Sequence, residues 1–144
     1  MSACFQKDDG IDLGHYLAAI DDVDAEWRSS AEAAFDGKEY LGTGDSPPAG
    51  HAIADVVRDI EANTRDLIAA TQQARASAAT IVPPSEAKRL HSDYLSTLDQ
   101  MIASWEDGLV LLETPSARAA IQGNPDAYAQ FLSIYYDFQA SAAA

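Results

Sequence analysis

Apolar residues return at three- and four-residue steps over four long stretches of this chain. That spacing puts side chains on one face of an α-helix. In the first stretch, from about Leu13 to Phe35, the stripe is Leu13, Tyr16, Leu17, Ile20, Val23, Trp27, Ala31 and Ala34. Asp12 stands where an N-cap belongs, and Asp36-Gly37 supplies a C-terminal stop. A Gly- and Pro-rich segment follows, GKEYLGTGDSPPAG at positions 37–50. It reads as a long crossover or strap, with Tyr40 and Leu41 tucked onto the helices.

The second stretch runs from about His51 to Ala78 on Ile53, Val56, Val57, Ile60, Leu67, Thr71 and Ala74, and Pro83-Pro84 ends it. The third starts near Ser85. Its stripe is Ala87, Leu90, His91, Tyr94, Leu98, Met101, Ile102, Trp105, Leu109 and Leu112. Thr114-Pro115 closes it and opens a short helix to about Gln122, with threonine as N-cap and proline in the first helical position. Gly123-Asn124-Pro125 repeats the stop and start. The last helix, about Pro125 to Ala140, carries Tyr128, Phe131, Leu132, Tyr135 and Phe138, and ASAAA reads as a frayed tail. Thr80-Ile81-Val82 is too short to pair as a strand. The pattern predicts an all-α domain over residues 12–144, an antiparallel four-helix bundle whose last helix is interrupted near Gly123-Pro125. Residues 1–11 form a tail. Trp27 and Trp105 fall on apolar stripes and are expected in the core.

Composition agrees with one globular domain. A chain of 144 residues is long enough to bury about two-thirds of its unfolded surface without a disulfide or metal. Its single cysteine, Cys4, cannot form an internal disulfide. Charge changes the picture more. Nine Lys and Arg face 23 Asp and Glu, a formal net charge of −14. Such a surface repels phosphate backbones and anionic headgroups, so no nucleic acid is expected as a partner. It favours basic partners, cations, or simply solubility. The longest apolar run, Leu109 to Leu112, is far short of a membrane span.

Candidate chemistry is sparse. A di-iron or di-manganese bundle needs Glu-x-x-His pairs, because positions i and i+3 point the same way into the core. The chain has none, and it lacks the C-x-x-C-H of a haem attachment. Asp22, Asp24 and Glu26 alternate like the start of a calcium loop, but Trp27 stands where the loop needs glycine. On a helix, alternate residues point about 200° apart. They are expected to form a solvated acidic face. Gly42-Thr43-Gly44 lacks the Lys-Ser/Thr of a phosphate loop. No cofactor is expected. His91 is the most informative histidine: it lies on the buried stripe beside Tyr94 and needs a hydrogen-bond partner. The expected partner is a carboxylate or carbonyl on another helix, and His91 with Tyr94 is the candidate ligand or structural polar site.

Two short stretches carry a resemblance. Ser2-Ala3-Cys4 resembles the end of a bacterial lipobox, whose cysteine receives the lipid. Phe5 to Asp12 would then be a polar tether, and Met1 would replace a leader. VPPSEAKRLHSDYLSTLDQM is similar to a helix start in small helical envelope lipoproteins, with Pro83, Pro84, His91, Tyr94 and Leu95 as the matching positions. It implies no activity. It implies a lipid-anchored, non-enzymatic cell-envelope domain with Cys4 as acceptor, which binds a partner or small ligand outside the membrane and touches the membrane only through its anchor. The main alternative is a cytosolic acidic interaction protein, of inhibitor or immunity type, that masks a basic surface. A third reading is an enzyme whose site combines His91 with ordinary carboxylates.

Overall fold

A computed structural model describes residues 11–37 and 52–142, and among them every regular element is helical. They are α1 (Leu13–Ala34), α2 (Ile53–Ala79), a 3₁₀ turn (Ser85–Ala87), α3 (Lys88–Leu111), α4 (Pro115–Ile121) and α5 (Pro125–Ala142). The end signals act where the sequence places them. Asp12 is extended at the N-cap and its carboxylate accepts from the His15 backbone N–H at 3.0 Å. Gly37, at φ +72°, gives the chain a left-handed exit after α1. Thr114 caps α4, accepting from the Ala117 N–H with Pro115 in the first turn. The break before α5 combines Gly123 at φ +85° with Asn124, whose Oδ1 accepts from the N–H groups of Asp126 and Ala127.

Some boundaries move. The third segment opens as a 3₁₀ turn and becomes α-helical only at Lys88. The final helix continues through Ala142 into the predicted tail, as an alanine-rich end allows. Thr80 to Pro84 is a non-helical link between α2 and the 3₁₀ turn. His51, Tyr40 and Leu41 lie outside the described residues.

The core sits along α2, in two parts. Towards its N-terminal end, Val56, Val57 and Ile60 pack with Ala117 and Ala120 of α4 and Tyr128 and Phe131 of α5. Alanines on α4 let the short helix come close. Towards the other end, Ala74 and Ala78 pack with Val23 of α1 and Leu98 of α3, and Trp27, Tyr94, Leu95 and Met101 close around them. Helix α2 therefore serves both halves: α1 and α3 pack on it, and α4 with α5 covers its first turns. At the crossing of α3 and α5, a methyl group on Gly108 would sit 3.1 Å from the Phe138 ring, which would have to give by a few tenths of an ångström.

The stripes predict burial well, with one localised exception. Every stripe residue on α2 and α5 is buried or half-buried. Trp27 and Trp105 are half-buried, less enclosed than expected. Leu13, Leu17 and Leu90, however, are exposed. All three lie at one end of the fold, where the first turns of α1 and α3 meet.

Candidate functional site

Helix α1 is held to its neighbours by a series of polar contacts. Near its start, the Tyr16 hydroxyl lies 3.3 Å from His91 Nδ1, and the two rings meet edge to face with centroids 5.8 Å apart. Tyr16 is 1% exposed and His91 7%. The histidine's partner is thus a phenol, not the carboxylate or carbonyl expected. Tyrosine offers the same hydrogen bond without a charge to desolvate, which suits a buried site.

Two turns further along α1, Asp24 accepts from the Tyr94 hydroxyl at 2.6 Å. This corrects the purely solvated face expected of Asp22, Asp24 and Glu26. The middle carboxylate turns inward to a tyrosine, while Asp22 and Glu26 stay exposed. Burial pushes the Tyr94 phenol well up from its ordinary pKa, and the Asp24 carboxylate adds to that by accepting its hydrogen bond and by its negative charge. Burial raises Tyr16 and Tyr128 as well.

Next, Trp27 Nε1 donates to Thr71 Oγ1 at 3.0 Å, and that hydroxyl donates in turn to the Leu67 carbonyl at 2.7 Å. At the C-terminal end of α1, Asn63 Nδ2 donates to the Ala34 carbonyl at 3.0 Å. These bonds fix directions. Tyr16 and Asp24 meet α3 in the same order as His91 and Tyr94, so α1 and α3 run the same way. Trp27 and Ala34 meet α2 in reverse order, so α2 runs against them.

The sequence thus identified two members of the seam, His91 and Tyr94, but not their partners Tyr16 and Asp24. Tyr16 was legible as a stripe residue. Asp24 carried no signal, because a carboxylate on an acidic helix looks like its neighbours. His91 and Tyr94 each bond to a different residue of α1. Among the described residues, no buried side-chain nitrogen or oxygen lacks a hydrogen-bond partner, and no cluster of three His, Cys, Asp or Glu could hold a metal ion. Cys4 lies outside the described residues.

No family model, no curated protein and no solved structure matches this chain. The site must therefore be read from its own geometry. His15, the other described histidine, is exposed and bonds through Nδ1 to the Asp12 carboxylate at 2.6 Å. The His15 backbone N–H and then its ring hold Asp12 below the usual carboxylate range. This pair is an elaborated helix cap. A shallow groove on the outer side of α1 is lined by Ser29, Glu32, Ala33, Phe35 and Asp36. All five come from the end of α1 and the turn after it, and the groove is acidic. Among the described residues, no helix is long and apolar enough to cross a membrane.

Proposed function

We propose that this chain is the folded domain of a lipid-anchored cell-envelope protein, without enzymatic activity, that binds a basic partner outside the membrane. Cys4 is the acceptor of the lipid in this reading, and the residues before Asp12 are the tether. One observation supports a binding role over catalysis. The side chains with chemical potential, His91, Tyr94, Tyr16 and Asp24, are spent on bonds between helices. A general acid or base must instead reach a substrate proton. The surface left to the partner is acidic: besides Asp24, residues 11–37 carry six carboxylates against Arg28. We infer further that the helices form an antiparallel four-helix bundle in which α4 and α5 together take the place of the fourth helix. The packing of both on the first turns of α2 supports this.

The reading is tested in a bacterium with the native gene. Upstream of Ser2 it should encode a basic segment and an apolar stretch of about 7–15 residues. The full-length protein should enter the membrane fraction and incorporate labelled fatty acid. Cys4→Ser should abolish the label. A native start at Met1, with unlabelled protein in the cytosol, would overturn the anchored reading. It would favour an acidic cytosolic protein that masks a basic surface.

A further inference from the structure

Three of the predicted core leucines are exposed, and they occur together. Leu17 is 46% exposed and Leu13 is one turn before it on α1; Leu90 on α3 is 57% exposed. The Tyr16–His91 contact fixes how these helices face each other. Because α1 and α3 run in the same direction, the residue after Tyr16 and the residue before His91 turn to the same side of the seam. Leu17 and Leu90 are those residues. Leu13 lies on the same face of α1 as Leu17. Ile11, just before the cap of α1, and Val82, in the link that leads into α3, are at the same end and also exposed. Five of the eight exposed large apolar residues among the described ones therefore crowd one end of the fold.

This end carries little net charge, as α2 also does over residues 52–77, while much of the excess acid lies on α1 from Asp21 onward. Residues 11–20 and 78–93 build this end, and they hold Asp12, Glu86 and Asp93 against Lys88 and Arg89. Three acids against two bases leave it close to neutral in a chain of net charge −14. Arg89 is almost fully exposed and only 3.9 Å from Asp93, too far for a firm bond. The two basic side chains directly precede Leu90 in sequence.

We infer that this apolar, nearly neutral end rests on the lipid bilayer, with Leu13, Leu17 and Leu90 entering the headgroup region beside Lys88 and Arg89. The inference rests on the anchored reading above and adds a second contact to its lipid. Three features favour a bilayer as the occupant. The first is reach: Ile11 is seven residues beyond Cys4, and an extended chain spans at most about 3.5 Å per residue, so the anchor holds this end within roughly 25 Å of the membrane. The second is repulsion. The acidic stretch from Asp21 on α1 to Asp36 just after it is rejected by an anionic membrane, whereas this end brings Lys88 and Arg89 towards it. The third is composition: exposed Leu13, Leu17 and Leu90 beside Lys88 and Arg89 pair apolar side chains with cations, the combination that settles at a headgroup boundary. A second copy fits poorly. Two domains of charge −14 repel, and five side chains fall short of the ~800 Å² per partner that a stable interface uses.

The lone cysteine permits a test that does not depend on cellular lipidation. Protein carrying Leu17→Trp is coupled through Cys4 to vesicles of phosphatidylethanolamine and phosphatidylglycerol that contain a maleimide lipid. Brominated acyl chains then report contact by quenching the new tryptophan. The expected result is quenching with Leu17→Trp beyond that of the unsubstituted chain, no such excess with Ser29→Trp at the far end of α1, and loss of the excess when Leu13→Glu and Leu90→Glu are added. Circular dichroism should be unchanged, since both leucines are already in solvent. Equal quenching at positions 17 and 29, or none at either, overturns the inference. So does a dimer without vesicles that Leu17→Glu dissociates, which would assign the patch to a second copy. Because the anchor is supplied chemically, failure here leaves the fatty-acid labelling result standing, and failure of labelling does not alter this result.

Discussion

His91 and His15 show how little residue type says without position. Both are three or four residues from the start of a helix, and both bond to a neighbouring side chain. His91 is buried against Tyr16, itself almost fully enclosed. His91→Ala would leave that phenol unpaired and should cost about 1–3 kcal/mol in chemical denaturation. His15→Ala acts on an exposed cap pair and should shift the midpoint far less. Equal midpoints would mean that the Tyr16 contact carries nothing. Tyr94 gives a pH signature. Its phenol is raised in the folded state, by burial first and by Asp24 second. Near and above the ordinary tyrosine pKa of about 10, the unfolded chain therefore holds fewer protons than the folded one. Stability contributed by the neutral phenol is complete below that pH and falls as pH rises through it. Denaturation from pH 8 to 11 should show a decline beginning near pH 10, and Tyr94→Phe should flatten it. An unchanged slope in the variant would assign the decline to other groups.

At the scale of the element, the break between α4 and α5 is the best-specified turn among the described residues. Gly123 supplies the left-handed residue, and Asn124 satisfies two N–H groups at the start of α5. Asn124→Ala should cost about 1 kcal/mol by loss of this cap, read as a lower denaturation midpoint. Asn124→Asp should largely restore it, because a carboxylate accepts from the same two donors and favours the helix N-terminus. If Asn124→Asp is as unstable as Asn124→Ala, the cap is not what holds the turn. The same reasoning explains why helix ends were legible in the sequence. Asp12, Thr114 and Asn124 act within three residues of themselves, so the signal and its effect lie in one local window. The start of α2 has no such residue: no side-chain cap bonds its first turn.

Across the whole molecule, charge opposes compaction. Seven carboxylates and one arginine between residues 11 and 37 lie on a helix and its ends, and the chain carries −14 in all. The exposed ion pairs that answer this, such as Arg58–Asp55, Arg65–Glu61 and Arg75–Asp99, are each worth about 1 kcal/mol or less. Moderate sodium chloride should screen the repulsion more than it weakens these pairs, so the melting temperature should rise between low and moderate salt. A steady fall would show that the pairs outweigh the repulsion. The same imbalance gives the molecule a direction. The acid is concentrated from Asp21 on α1 to Asp36 just after it, six carboxylates against Arg28, while the end at Leu13, Leu17 and Leu90 holds three acids against two bases.

What the sequence determined by itself is the set of helices and most of their buried faces, because periodicity and capping are properties of neighbours along the chain. It placed His91 and Tyr94 on a buried stripe for the same reason. Only the tertiary structure decided what they touch. Tyr16 meets His91 from 75 residues away and Asp24 meets Tyr94 from 70, and no local pattern encodes which helices become neighbours. It also decided that Leu13, Leu17 and Leu90 stay in solvent. A stripe shows which side of a helix could be buried, but burial needs a partner. The helices that could have covered this end, α4 and α5, pack on the first turns of α2 instead.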